Sequence, residues 1–272
     1  MKTPTIVLTI AGSDSSGGAG IQADIKAISA LGSYAASVIT SVTAQNTLGV
    51  QAIHPIPTSI VRQQIESVMD DLHPEAIKIG MVCDKEIATI IAENLRKYQP
   101  QWVVYDPVMV STSGHKLMTD DTIDIIRREL IPQTSLITPN LYEAQILLRK
   151  KIKCLDEMEE GADVLGKTYG CSVLIKGGHL EGGEMCDVLY DANEQQIFRF
   201  HAKKIESQNL HGTGCTLSSA IATKLSQGYP IKKAIALAKD YVTKGIDAAK
   251  NMNIGHGHGP LWHFIKEGAV SK

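Results

Sequence analysis

Short runs of apolar residues alternate along the chain with stretches whose apolar positions recur every three or four residues. Residues 5–11 (TIVLTIA) read as a buried strand, with a helix over 21–31 and a second strand over 37–43. Helical spacing over 59–72 precedes a strand at 76–79, and helical spacing over 85–98 precedes one at 102–105 (WVVY). Residues 120–130 read as a helix with Thr119 as its cap and Pro132 beyond its end. A strand at 135–138 (SLIT), helices at 142–148 and 156–169, and a strand at 173–176 (VLIK) follow. Strands alternating with helices predict βαβ units and a mostly parallel α/β sheet with helices on both faces. The near-continuous apolar strands suit a sheet covered on both sides.

The pattern then changes. Residues 187–190 and 196–201 flank Asp-Ala-Asn-Glu and predict an antiparallel hairpin, and two helices (216–227 and 231–250) close the chain. No linker, repeat or low-complexity tract interrupts the order. One domain over 1–272 is expected, at a length that α/β folds reach as a single unit.

Composition narrows the function classes. Hydrophobic residues make up 43% and charged residues 21%, as in globular domains, and the net charge of −2 gives no footprint for nucleic acid or an anionic membrane. The apolar run at 6–11 is too short for a signal peptide, and none is long enough to span a bilayer. The five cysteines are scattered and form no C-x-x-C pair, which fits a reduced, cytoplasmic setting. His256, His258 and His263 sit among glycines with no acid or cysteine beside them, so the flexible-loop reading outweighs a metal site.

Three groups of residues carry candidate chemistry. Gly12 to Gly20 (GSDSSGGAG) lies between a strand and a helix, where a ligand can approach backbone closely. It matches the loose dinucleotide fingerprint, but no acid occurs over 38–43, where that reading needs one, and no Gly-Lys-Ser/Thr makes a P-loop. A plain strand-to-helix turn explains the glycines equally well. His211 to Thr216 (HGTGCT) precedes a helix. The N–H groups of Gly212, Thr213 and Gly214 suit an anion hole, and a helix start is expected to lower the thiol pKa of Cys215 enough for it to take a proton. Taken singly, Cys215 reads as a buried structural cysteine. Finally, Asp106, Asn140, Glu143 and Lys176 follow apolar strands. Parallel sheets bind ligands at that edge, and these groups suit Mg²⁺ and phosphate. Each alone reads as a cap or a surface group.

Together GSDSSGGAGIQAD, VTAQNTLGV, KIGM, DPVM, ITPNLYEA, IKGGH and HGTGCT resemble the hydroxymethylpyrimidine/phosphomethylpyrimidine kinases, ribokinase-like enzymes of thiamine biosynthesis. The resemblance implies a central sheet of about eight strands and ATP- and Mg²⁺-dependent phosphorylation of 4-amino-5-hydroxymethyl-2-methylpyrimidine, then of its monophosphate. It implies that Asp24 and Gln45 read the pyrimidine, with Met81 packing on the ring beside the Gly12 loop. Cys215 would be the base above the Gly212–Gly214 anion hole, and Asn140, Glu143 and Lys176 would face ATP. Asp106 and Glu143 would hold the metal, and the chain would pair as a homodimer. Pyridoxine or pyridoxal kinase is the nearest rival, and a sugar kinase would carry aspartate where Cys215 stands. A non-catalytic ligand-binding protein on the same fold is the reading from another class.

Overall fold

The computed structural model describes residues 3–82, 84–109, 118–178 and 185–265; Cys83 and His179 lie outside the described residues. The nine strands of the described residues form one sheet in the order β3-β2-β1-β4-β5-β6-β7-β8-β9. Strands β1 (Ile6–Ser13), β2 (Tyr34–Asn46), β4 (Ala76–Ile79), β5 (Trp102–Tyr105), β6 (Leu136–Ile137) and β7 (Ser172–Ile175) are parallel. The antiparallel members are β3 (Gly49–Pro55) at one edge, then β8 (Met185–Asp191) and β9 (Gln196–Ala202) at the other. The β8–β9 hairpin is the one predicted. Strand β3 is a ninth strand that the pattern does not give: it is exposed over nearly its whole length, so its side chains carry no alternation of buried and exposed positions.

Helices cover both faces. Period-two alternation sends Leu8, Ile10, Ile77 and Ile79 into a core with α2 (Thr58–Leu72), α3 (Lys85–Tyr98), α5 (Leu141–Leu148) and α6 (Leu155–Tyr169). Val7, Ala76, Val104 and Leu174 point the other way, onto α1 (Gly20–Ala30), α7 (Thr213–Ser226) and α8 (Ile231–Ala249). The helix predicted over 120–130 starts as expected, with Thr119 Oγ1 accepting from the Thr122 N–H at 3.3 Å. It remains α-helical only through α4 (Asp120–Ile125), then widens into a π turn at Ile126–Leu130 and tightens into a final turn at Ile131–Gln133 that contains Pro132 near its start.

The chain runs from β1 outward to β2 and β3, then returns to lay β4 on the other side of β1. That reversal opens a crevice at the carboxyl ends of β1 and β4, the place where open α/β sheets bind ligands. Every strand-end residue singled out in the sequence lies along this edge.

Candidate active site

The glycine turn of HGTGCT belongs to α7. The sequence predicts the helix from 216, with the glycines ahead of it, whereas the structure starts it at Thr213 with Gly212 as N-cap. Gly212 has φ +78, which L side chains rarely adopt, and a Cβ there would lie 1.8 Å from the Gly18 carbonyl oxygen. Thr213, Gly214 and Cys215 therefore form the first helical turn, whose N–H groups have no intrahelical acceptor. The Thr213 N–H turns back to the Leu210 carbonyl at 3.3 Å, which leaves the Gly214 and Cys215 N–H groups, with the helix dipole behind them, suited to an anion.

Asp106 and Lys176 face that turn. Lys176 Nζ donates to Asp106 Oδ1 at 2.7 Å, and Thr138 donates to the same oxygen at 3.1 Å. A Cβ on Gly214 would stand 3.3 Å from Asp106 Oδ2 and 3.5 Å from Lys176 Nζ, so the turn and the ion pair border one space. Burial works against the Lys176 charge, but the carboxylates of Asp106 and Glu143 reverse this and hold its pKa above the usual lysine value.

Asn140 and Glu143 are first of all partners of each other. Asn140 Oδ1 accepts from the Glu143 N–H at 2.9 Å, and Glu143 Oε2 accepts from the Asn140 N–H at 2.7 Å, forming a capping box at the start of α5. Glu143 is 2% exposed, and its other oxygen faces the Met109 N–H at 3.4 Å. Burial pushes its carboxyl up to about 7, with Asp106 adding to the rise and Lys176 opposing it. This revises the expectation of a direct ligand. Asp106 is the carboxylate facing the α7 turn, and Glu143 stands behind it. Among the described residues no cluster of three metal-ligating side chains occurs. Asp106, with Glu143 behind it, suits Mg²⁺ carried in on nucleotide phosphates, which demands few protein ligands.

Cys215 occupies the N3 position of α7 and is half-buried. The expected fall in its pKa is overturned. Burial pushes the thiol up to about 11, and the charges of Asp24 and Asp106 add to this, while Lys78 and the Gly20 N–H oppose it. Desolvation and nearby carboxylates outweigh the pull of Lys78 at this position.

The opposite wall comes from β1, β2 and β4. A Cβ on Gly12 would lie 2.9 Å from Met81 Cε and 2.8 Å from Ser41 Oγ, so bare backbone, thioether and hydroxyl meet there. Ser41 Oγ is buried with no hydrogen-bond partner, a polar atom available to a ligand. Gln45, near the end of β2, is half-buried, and its side chain lies 3.3 Å from His211 Nε2.

Asp24 does not reach this wall. Its carboxylate is wholly buried, receiving Lys78 Nζ at 2.8 and 2.9 Å, Thr9 Oγ1 at 2.6 Å and Ser219 Oγ at 2.7 Å. The expectation that Asp24 reads the ring gives way to a structural reason for an acid there: it neutralises a buried lysine. Burial alone would strip the charge from Lys78, but Asp24 reverses this and raises its pKa. Thr9 and Lys78 lie on the strand face that meets α1 and α7, which carry Asp24 and Ser219.

These features have matches among known proteins. The family described as phosphomethylpyrimidine kinase matches residues 14–262. The chain is 47% identical to a hydroxymethylpyrimidine/phosphomethylpyrimidine kinase of Rhizobium meliloti, over 95% of this chain and 97% of that one. It belongs to the phosphomethylpyrimidine kinase family. A crystal structure of phosphomethylpyrimidine kinase from Clostridium difficile superposes with a TM-score of 0.80 at 44% identity, covering 89% of this chain and 99% of that one. The ADP complex of Bacillus subtilis pyridoxal kinase superposes with 0.88 at 33% identity, covering 96% and 98%. The backbone thus fits both kinds of kinase, whereas sequence identity is higher to the pyrimidine enzymes.

Within this family framework, several residues emerge that sequence reasoning did not single out. Asp14 and His211 pair across the cleft at 2.9 Å, and Lys78 lies beneath it. The signal for His211 was its place at the head of HGTGCT. A cavity of about 450 Å³ also lies between residues 203–206 and α8, lined in part by Ile205, Thr243 and Asp247. It contains neither Cys215 nor Lys176, and a chain of hydrogen bonds ties one of its lining residues, Thr243, to the end of β7. The Gly177 N–H donates to Asp187, Asp187 pairs with Lys239, and the Lys239 carbonyl accepts from Thr243.

Proposed function

We propose that the protein uses ATP to phosphorylate 4-amino-5-hydroxymethyl-2-methylpyrimidine and then the resulting monophosphate, giving the diphosphate used in thiamine biosynthesis. The observation that carries this reading is the shared cleft. The α7 turn and the Asp106–Lys176 pair border one side, and the Gly12–Met81–Gln45 wall borders the other. The ring lies against Met81 with Gln45 at its edge, and its hydroxymethyl oxygen points toward the α7 turn. The N–H groups of Gly214 and Cys215 bind the oxygens of the transferred phosphoryl group, and Lys176 binds the nucleotide phosphates. Magnesium would be held by Asp106, backed by Glu143, and would supply neutralisation of phosphate charge. Asn140 supports the phosphate side as the cap of α5.

Cys215 takes the hydroxyl proton. In the ligand-free protein its thiol stays protonated at neutral pH, so this role depends on the filled site lowering its pKa. The outward face of β2 and β3 supports a homodimer. Val42, Ala44 and Ala52 are exposed there, and β3 is a sheet edge. Cysteine usage supports a cytoplasmic setting, and among the described residues no helix is long and apolar enough to cross a membrane.

The second reading is a pyridoxine or pyridoxal kinase, favoured by the close superposition on the B. subtilis enzyme. Incubation with Mg-ATP and either the hydroxymethylpyrimidine or pyridoxine, followed by mass spectrometry, separates the two. Mono- and then diphosphate from the pyrimidine supports the proposal. Phosphate on pyridoxine alone supports the rival, and turnover of neither removes kinase activity.

A further inference from the structure

The substrate wall holds a polar chain that phosphoryl transfer does not use. Asp14 is 3% exposed and accepts four hydrogen bonds. Oδ1 receives the Ser16 N–H at 2.8 Å and Ser16 Oγ at 2.7 Å, while Oδ2 receives the Ala19 N–H at 2.8 Å and lies 2.9 Å from His211 Nε2. Burial works against its charge, but the bonds from His211, Ser16 and Ala19 overcome this and hold the carboxyl well below the usual range. An ionised carboxylate only accepts, so His211 carries its proton on Nε2 and donates it.

The Gln45 carboxamide lies between that nitrogen, at 3.3 Å, and Thr43 Oγ1, at 3.2 Å. Its oxygen and nitrogen have the same shape, so their hydrogen-bond partners decide which is which. Thr43 has one hydroxyl proton, and the Ser13 carbonyl takes it at 2.7 Å. Thr43 therefore offers Gln45 only lone pairs, and His211 offers no lone pair, only a share in the N–H that Asp14 takes. With the amide nitrogen on the His211 side, two donors face one another. With the oxygen there and the nitrogen on Thr43, the amide donates to Thr43, and its oxygen shares the Nε2–H that Asp14 receives at the shorter distance.

We propose that Asp14, His211 and Thr43 fix the order of the Gln45 carboxamide and thereby set the selectivity of the site. With one lone pair and one N–H committed to these neighbours, one of each remains for a ligand. An amide oxygen beside an amide N–H complements an exocyclic amino group beside a ring nitrogen. A ring with a hydroxyl beside a ring carbon, as in pyridoxine, offers no acceptor to that N–H, so the site penalises it. Reversing the amide would set its donor against the amino group and erase the preference. Asp14, His211 and Thr43 are positioning residues acting through Gln45, and the inference rests on the reading of Gln45 as the ring reader.

The test is a competition assay between the hydroxymethylpyrimidine and pyridoxine, giving the ratio of their specificities. His211→Phe keeps a ring but removes the donor, and should lower the ratio about 10- to 30-fold, through KM for the pyrimidine, with kcat within about 3-fold. His211→Gln returns an N–H donor with similar reach and should recover most of the ratio. In a Gln45→Ala background, His211→Phe should change the ratio no further. An unchanged ratio in folded His211→Phe, or an equal loss of kcat on both substrates, overturns the inference. If His211→Phe does not fold, Thr43→Val removes the acceptor at the other end of the amide and should lower the ratio in the same direction, and an unaltered ratio there overturns the inference as well. A Gln45→Ala single variant with wild-type preference instead overturns the reading of Gln45 itself.

Discussion

Lys78 and Asp24 show how a residue can matter without touching a ligand. Each side chain of the pair is wholly buried, with the Thr9 and Ser219 hydroxyls as the further donors to Asp24. Removing one member of such a pair leaves an uncompensated charge. Lys78→Met should destabilise the fold by about 3–5 kcal/mol in urea unfolding, and adding Asp24→Asn should restore a good part of it. A Lys78→Met variant as stable as the parent would mean that the pair is not charged. The sequence showed an acid four residues into a helix after a glycine loop. It could not show that a lysine 54 positions away meets it, because that contact exists only once β4 lies beside β1. Cys215 was legible as a residue at a helix start, but its raised pKa was not, since desolvation is a property of the assembled site. Cys215→Ala should cut kcat about 100-fold or more, with little change in pyrimidine affinity measured by calorimetry. An unchanged kcat would remove it from proton transfer.

At the scale of elements, most parallel strands were legible because β1, β4, β5, β6 and β7 are buried on both faces, and α2, α3 and α8 because each has a clear apolar stripe. Strand β3 was not, since nearly all of its side chains face solvent. The start of α7 was read three residues late because glycines look like loop, whereas Gly214 lies inside the helix. That position gives a clean separation of fold from chemistry. Gly214→Ala should leave thermal stability near the parent value, since alanine favours helix. Its methyl would enter the space facing Asp106 and Lys176, and turnover should fall about 100-fold in a coupled ADP assay. His263 offers a different handle. It is buried against Thr216 Oγ1 at 3.0 Å, tying the C-terminal segment to α7. Burial, helped by the Lys26 charge, pushes its imidazole down to about 4 from an ordinary 6.5. Between those values the unfolded chain binds the extra proton. Stability is therefore intact above the window and falls as pH drops through it. His263→Asn should reduce the loss between pH 7 and pH 5 by about 2 kcal/mol in urea unfolding. An equal pH dependence in both proteins would count against a buried neutral histidine.

For the whole molecule, the order of elements was enough to place the candidate groups at one edge of a sheet. The pairing of those groups across the cleft needed the reversal between β1 and β4. If the β2–β3 face joins two copies, Val42→Lys should shift sedimentation from dimer to monomer at micromolar concentration, because charged side chains on an exposed sheet face resist pairing. A parent protein that sediments as a monomer would end that reading. The contact between Gly18 and Gly212 works at the same scale. It holds the loop after β1 against the first turn of α7, with no room for a side chain on either glycine. The distance from ring wall to anion hole therefore acts as a fixed gauge. A monophosphate is one phosphate longer than the alcohol it came from, so for the second transfer it must load at a shallower depth, drawn back from Gln45. One rigid cleft then distinguishes two successive substrates by how far each can enter.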